Sequence, residues 1–300
     1  MSWLQIKITT QAESAEKLED YLLEIGASSI TLEDPEDQPI YEPLPGETPL
    51  WKSTRVVGLF TEDFDIDAVA KAVAEFATEQ KLTHQIQTEK VEDQDWERAW
   101  MDDFHPIQCG ERLWICPSWT EPPEPDSVNL ILDPGLAFGT GTHPTTYLCL
   151  KHLDRISTDQ TAALNEAKVL DYGCGSGILA IAALLLGAKE AIGVDIDPQA
   201  LTATEMNMER NSLDQNRIEL FLPDNFQGCQ ADITVANILA GPLVELAPEI
   251  TKNTKSGGLL ALSGILQEQA EDVYNCYSQY FDLNPIEQKE DWILITGKKK

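Results

Sequence analysis

The chain has 300 residues and a formal net charge of −30, from 51 acidic and 21 basic side chains. This length suits two domains with separate cores, and a hydrophobic content of 42% is ordinary for a soluble globular protein. The excess of acids should repel bare nucleic acid and anionic membranes and attract a basic protein. The alternative, that the acidity serves solubility or reflects a salty cytoplasm, stays open.

The distribution of apolar residues and cysteines argues against several classes of protein. No apolar run approaches the ~20 residues needed to span a bilayer, and the first residues lack a basic region followed by an apolar core. The six cysteines form no C-x-x-C pair, and the four histidines have no metal-like spacing. We therefore expect a cytoplasmic protein with reduced thiols, no membrane association and no metal site.

Two apolar spacings alternate through the first 90 residues, in the order β-α-β-β-α-β. The predicted strands are Trp3–Thr9, Ser28–Leu32, Thr54–Phe60 and Leu82–Thr88, and the predicted helices cover residues 15–25 and 66–76. Thr10 and Glu13 have the spacing of a capping box for the first helix, which should end at Gly26. This order matches the ferredoxin-like arrangement. Residues 1–90 are thus predicted to form a small recognition or accessory domain.

Residues 91–104 are predicted to be a helical linker. Trp96 and Trp100 are four residues apart, and Phe104 follows one turn later. A flexible linker would be rich in glycine and serine. Packing between domains is favoured over stacking on nucleic acid, because basic residues are scarce here.

A shaped loop precedes the next predicted helix. After predicted strands at Arg112–Pro117 and Val128–Leu132 come Asp133-Pro-Gly-Leu-Ala-Phe-Gly-Thr-Gly-Thr-His-Pro-Thr-Thr146, with three glycines and four threonines. Pro144 suits a first helical position. A surface turn would not need so many backbone donors and hydroxyls, so a functional role is favoured.

A glycine turn follows the strand that begins at Lys168. Asp171 ends a short apolar run and precedes Gly173, Gly175 and Gly177, which alternate along the chain before an apolar helix. Glycines allow a sharp bend and close approach of a ligand. Their spacing differs from the Gly-x-Gly-x-x-Gly of dinucleotide sites. Within this turn, Cys174 is favoured as a small filling side chain over a nucleophile.

A second acid, Asp195, ends the next apolar run 18 residues after Gly177. Such an acid can accept hydrogen bonds from ribose hydroxyls. From Lys168 onward strands and helices alternate, which predicts a parallel sheet with helices on both faces. The last two strand-like runs, around residues 283–287 and 292–297, are predicted to form an antiparallel hairpin at one edge. Gly173, Asp195 and Asn237 all fall at carboxyl ends of predicted strands, where ligands bind.

These motifs resemble the class I S-adenosylmethionine-dependent methyltransferases. The likeness is closer, over nearly the whole chain, to the bacterial methyltransferases of large-subunit ribosomal protein eleven. It is carried by residues 133–146, Asp171–Gly177, Gly193–Pro198 and Asn237-Ile-Leu-Ala-Gly-Pro242, together with Tyr41-Glu-Pro-Leu-Pro-Gly-Glu-Thr, Asp95-Trp-Glu-Arg-Ala-Trp and Phe104-His-Pro.

The resemblance implies a Rossmann-like α/β domain over residues 105–300, with a mixed seven-stranded sheet, preceded by the ferredoxin-like α+β domain. It also implies S-adenosylmethionine as methyl donor, with S-adenosylhomocysteine as product. The implied cofactor contacts are Thr146, Gly173, Asp195 and Asn237, with Gly175 and Phe138 as neighbours.

The resemblance further implies transfer of methyl groups to lysine ε-amines and the N-terminal α-amine of that ribosomal protein. The N-terminal domain would hold this substrate, and the linker would let it swing. A monomer without direct nucleic-acid binding is expected, and no residue is assigned as a catalytic base. Two alternatives stay open: a methyltransferase of RNA or of a small molecule, and a nicotinamide-dependent dehydrogenase.

Overall fold

The computed structural model describes residues 3–36, 49–91, 104–133, 143–158 and 164–300. The chain divides into a first unit, Met1–Met101, and a second unit, Asp102–Lys300. The predicted linker helix, with Trp96 and Trp100, lies outside the described residues except at its ends. Within the described ranges, no helix is both long and apolar enough to cross a membrane.

The described residues of the first unit form an antiparallel sheet of four strands with two helices. Its elements are β1 (Trp3–Gln11), α1 (Ala12–Glu24), β2 (Ser29–Glu33), β3 (Ser53–Thr61), α2 (Ile66–Glu79) and β4 (Gln85–Val91). The strand order is β2-β3-β1-β4, and every neighbouring pair is antiparallel. Ile6, Ile8 and Val56 alternate onto the face that the helices cover, where they join Leu18 and Leu22 in one core. The ferredoxin-like arrangement predicted from the sequence is confirmed.

The two helices of this unit begin differently. Asp65 precedes α2 and accepts hydrogen bonds from the backbone N–H groups of Asp67 and Ala68, which satisfies donors that a helix start leaves free. Helix α1 begins after Gln11 without a side-chain cap. The predicted capping box at Thr10 is therefore wrong, because the Thr10 hydroxyl donates to the carbonyl of Thr83.

The second unit opens with a small sheet of three strands: β5 (Ile107–Gln108), β6 (Leu113–Cys116) and β7 (Val128–Ile131). Strand β5 was not predicted, since two residues carry no periodicity. The first helix in the described residues of this unit, α3 (Pro144–Thr158), starts at the proline predicted for that position.

The large sheet is doubly wound. Its elements are β8 (Lys168–Tyr172), α4 (Ile178–Leu185), β9 (Glu190–Val194), α5 (Pro198–Arg210), β10 (Ile218–Phe221), β11 (Ala231–Asn237), α6 (Ala240–Glu245), α7 (Ala247–Asn253), β12 (Thr254–Leu266), α8 (Ala270–Ser278), β13 (Phe281–Leu283), β14 (Glu287–Lys289) and β15 (Trp292–Lys299). The order is β10-β9-β8-β11-β12-β15-β13, with β14 paired to β15. The first five strands are parallel, and β15 is antiparallel to β12. Separate clusters of buried apolar side chains cover the two faces. The predicted mixed α/β class is confirmed, but in the described ranges the sheet has eight strands and not the predicted seven, because β13 and β14 both pair with β15.

Two local predictions in this sheet need correction. The sequence predicts one helix around residues 243–250, but the structure has two, α6 and α7, which are separated at Leu246, and Pro248 lies in the first turn of α7. The last strands form an antiparallel arrangement at one edge of the sheet, as predicted, with β15 between β12 and the edge strand β13. The run around residues 283–287 is split into β13 and β14, which pair with different parts of β15.

Four helices end in the same way. At the ends of α1, α2, α4 and α5, a backbone N–H just beyond the helix donates to a carbonyl five residues earlier, as Leu82 does to Ala77. The residue before that donor is left-handed in each case. Gly26 and Gly187 take this position after α1 and α4, whereas Lys81 (φ +57°) and Ser212 (φ +55°) take it after α2 and α5.

Candidate active site

The glycine turn joins β8 to α4 in a backbone conformation that requires glycine. Gly173, Gly175 and Gly177 have φ values of +82°, +54° and +76°, which L residues rarely adopt. The N–H groups of Gly173 and Cys174 both donate to the carbonyl of Val194, at 2.7 and 3.1 Å. The turn is therefore tied to the end of β9.

Neighbouring side chains fill the space beside two of these glycines. A Cβ atom added to Gly173 would overlap with the side chain of Ile238, and one added to Gly177 would lie 2.5 Å from Thr204 Cγ2. Neither position has room for a side chain. The turn thus presents bare backbone towards the carboxyl edge of the sheet.

Asp195 follows β9 and contacts the turn directly. Its Oδ2 accepts a hydrogen bond from the N–H of Gly175 at 2.8 Å, and its Oδ1 accepts one from the N–H of Asp197 at 3.0 Å. The side chain is half-buried. These two bonds fix the carboxylate and leave lone pairs available to a ligand.

Asp171, the acid at the end of β8, is fully buried. Its Oδ2 accepts a hydrogen bond from the N–H of Ala180 at 3.0 Å, and its Oδ1 has no partner among the described residues. Burial raises the pKa of this carboxyl to about 7, and the charge of Asp195 contributes in the same direction. The sequence predicts Asp171 only as a strand end, and the signal for its buried position is an acid that ends an apolar run just before a glycine turn.

Asn237 and Thr146 form a further part of the site. Asn237 Nδ2 donates to Thr146 Oγ1 at 3.3 Å, and the Thr146 side chain is almost completely buried. The contact joins the carboxyl end of β11 to the first turn of α3, from positions 91 residues apart. Five of the six predicted contact residues therefore lie at this edge of the sheet, whereas Phe138 lies outside the described residues.

Two exposed apolar side chains were not predicted as part of the site. Ile196, directly after Asp195, has an exposed fraction of 84%, and Leu239, two residues after Asn237, has one of 45%. Large aliphatic side chains at these positions offer apolar surface beside the polar site residues. The signal in the sequence for Ile196 is a single isoleucine between two acids, Asp195 and Asp197.

The described residues bear on two further kinds of chemistry, a cysteine nucleophile and a metal site. Burial raises the pKa of the Cys174 thiol far above its usual range, which disfavours the nucleophilic thiolate. In the part of the chain that the structure describes, no group of three His, Cys, Asp or Glu residues could hold a metal ion.

Comparison with known proteins gives matches over the full length. A family model described as "Ribosomal protein L11 methyltransferase (PrmA)" matches residues 2–300. The ribosomal protein L11 methyltransferase of Actinobacillus pleuropneumoniae serotype 5b (strain L20) is 55% identical over 302 residues, covering 100% of both chains. The protein of the same name from Pseudomonas paraeruginosa is 54% identical over 300 residues, covering 100% of this chain and 99% of its own.

A solved structure is also similar. The ribosomal protein L11 methylase of Lactobacillus delbrueckii subsp. bulgaricus is 33% identical, with a TM-score of 0.58. The match covers 66% of this chain and 100% of that one.

Proposed function

Because the chain belongs to the ribosomal protein L11 methyltransferase family, we propose that it methylates ribosomal protein L11 at lysine ε-amines and at the N-terminal α-amine. Membership makes it an enzyme that transfers methyl groups from S-adenosylmethionine. What we propose beyond membership is the identity of the amines that accept the methyl groups and the role of each site residue.

The contact between Asp195 and Gly175 carries the proposal for the cofactor site. It brings the acid that ends β9 against the glycine turn that ends β8. An acceptor placed there suits the two ribose hydroxyls of the cofactor, and the bare backbone of Gly173 and Gly175 suits close passage of its methionine part.

Further contacts complete the proposed cofactor site. The exposed side chain of Ile196 suits the apolar face of adenine. Asn237 and Thr146 close the opposite side, and Phe138 is proposed as a neighbour. S-adenosylhomocysteine is the product when the methyl group leaves the sulfonium of the cofactor.

The acceptor is proposed to be an aliphatic amine. A lysine of pKa ≈ 10.4 must lose a proton, which costs roughly 4 to 5 kcal/mol at neutral pH. An apolar surface such as Leu239 disfavours the ammonium form and lowers that cost. Asn237 is followed by Ile-Leu-Ala, which provides no aromatic surface for a planar amide or base.

Positioning is proposed to supply much of the remaining rate, because methyl transfer is an in-line displacement. The proposal therefore assigns no side chain as a general base.

The first unit is proposed to hold the protein substrate, with residues 91–104 as the connection that lets it swing. A net charge of −30 favours association with a basic protein and disfavours direct contact with RNA. We propose a cytoplasmic monomer.

Labelled S-adenosylmethionine tests this function when the enzyme is incubated with purified ribosomal protein L11 and, separately, with ribosomal RNA. We expect label in the protein, at lysines and at the N terminus by mass spectrometry. Label in RNA and not in the protein would contradict the proposed substrate. Tight calorimetric binding of NADH without binding of S-adenosylmethionine would contradict the proposed cofactor site.

A further inference from the structure

The segment Asn237–Leu239 lies between Gly173 of the glycine turn and Gly264 of β12. On one side, the Ile238 side chain occupies the space where Gly173 would carry a Cβ atom. On the other side, a Cβ atom on Gly264 would overlap with the Ile238 carbonyl oxygen and lie 2.7 Å from its carbonyl carbon. The first contact is with a side chain and the second is with backbone, which cannot rotate away.

Gly264 lies in an irregularity of β12 next to the site. Asn237 pairs with Ser263 in the parallel ladder between β11 and β12. The register between β12 and β15 shifts between Leu262 and Ile265, and Gly264 has φ +84°. A bulge of this kind bends a strand and redirects the groups beside it.

A hydrogen bond to the neighbouring strand β15 holds the bulge in place. The Ser263 hydroxyl is completely buried and donates to the carbonyl of Ile293 on β15 at 2.8 Å. The backbone of Gly264 is therefore held in place by its own sheet. The Ile238 peptide group lies against that surface.

We propose that Gly264 is a positioning residue for methyl transfer, which fixes Asn237 by giving the adjacent Ile238 peptide group a flat backbone surface to pack against. The proposal rests on the cofactor role of Asn237 proposed above. A side chain at position 264 would push Ile238 towards the glycine turn, where Gly173 leaves no free space. Asn237 would move with it and lose its alignment with Thr146 and the cofactor.

The test is Gly264→Ala, with Gly257→Ala as matched control. Gly257 lies in the same strand with φ +75°, so an alanine there has the same left-handed strain, but its Cβ would meet only Lys298 Cε at 3.6 Å. A misplacement of about 1 Å at a reacting centre can cost about 100-fold in rate. We expect Gly264→Ala to raise the Kd for S-adenosylmethionine about tenfold and to lower kcat about 100-fold. Gly257→Ala should stay within twofold on both measures.

A double-mutant cycle separates positioning from a general loss of structure. Asn237→Ala alone should weaken cofactor binding, and adding Gly264→Ala to it should change the Kd less than twofold further. Fully additive losses would overturn the positioning role while leaving the role of Asn237 intact. An unchanged Kd in Asn237→Ala alone would instead contradict the proposed function of that residue.

Ser263→Ala tests the positioning role of Gly264 if Gly264→Ala yields no folded protein. It removes the anchoring hydrogen bond but retains the glycine, and the proposal predicts a threefold to tenfold rise in Kd that disappears in the Asn237→Ala background. An unchanged Kd in Ser263→Ala, or an equal rise in both backgrounds, would overturn the positioning role.

Discussion

Replacing Asp195 by alanine should weaken cofactor binding more than any other single substitution at the carboxyl edge of the sheet. The carboxylate is held by the N–H groups of Gly175 and Asp197, so it is already oriented before a ligand arrives. A hydrogen bond to a charged group contributes about 1.5–3 kcal/mol. Loss of the ribose contacts at this half-buried position should cost about 3 kcal/mol in total, which raises the Kd by about 100-fold.

Isothermal titration calorimetry with S-adenosylmethionine measures this effect, with Asp197→Ala as matched control. Asp197 has the same charge two residues away, but its carboxylate caps α5 by accepting from the N–H of Gln199 at 2.8 Å. The control should lose about 1 kcal/mol of stability and keep its Kd within threefold. Asp195→Asn retains an acceptor without the charge and should fall between the two.

Two outcomes would refute this reasoning. A Kd within threefold of the unmodified enzyme in Asp195→Ala would remove Asp195 from the ribose contact. Equal losses in Asp195→Ala and Asp197→Ala would show that net charge, and not the placement of one carboxylate, governs affinity.

Three further substitutions test contacts that stabilise the fold. The Asp171 carboxyl has a pKa of about 7 in the folded state and about 4 in the unfolded chain. Between these values the folded state binds the proton more tightly, so the unmodified enzyme loses stability as pH rises from about 4 to 7. Asp171→Asn does not titrate and should therefore gain about 1.4 kcal/mol per pH unit relative to the unmodified enzyme over that range. The buried hydroxyl of Tyr277 donates to the carbonyl of Leu243 at 2.9 Å, and Tyr277→Phe should lower the free energy of unfolding by about 1 kcal/mol. Arg217 donates to three carbonyls at the end of α4 and just beyond it, and Arg217→Ala should cost about 2 kcal/mol.

Urea unfolding curves measure all three effects. For Asp171→Asn, a stability difference that does not vary between pH 5 and 7 would show that the carboxylate is ionised throughout. An unchanged midpoint and slope in Tyr277→Phe would mean that its hydrogen bond adds nothing to stability. For Arg217, the lysine variant is the control: it keeps the charge, loses the fork of donors, and should be intermediate.

Elements with strong periodicity were predictable, and elements created by pairing were not. The alternation of Ile6 and Ile8 and the helical spacing of Leu18 and Leu22 identified β1 and α1 within two or three residues at each end. Strand β5 exists only because two residues pair with β6. The Thr10 hydroxyl does not cap α1 but donates to the carbonyl of Thr83, 73 residues away, and no local pattern in the sequence reveals that partner.

The site was predictable where a residue type alone restricts the chemistry. Three alternating glycines and acids after apolar strands placed Gly173 and Asp195 at the carboxyl edge. The support around them was not predictable, because it depends on which strands become neighbours. The bond from Gly175 to Asp195 requires β8 and β9 to pair, and the contact of Gly264 with Ile238 requires β11 beside a bulged β12.

The ends of α2 and α5 offer a route to a more heat-resistant enzyme. Lys81 and Ser212 are exposed residues in a left-handed conformation that Gly26 and Gly187 adopt at the matching ends of α1 and α4. Replacement by glycine would remove a steric penalty of about 1–2 kcal/mol from the folded state. It would also stabilise the unfolded state by about 0.4–1 kcal/mol, because glycine gives the unfolded chain more conformational entropy. Each exchange should thus stabilise the fold modestly. The melting temperature would rise without any change to the glycines that the site requires.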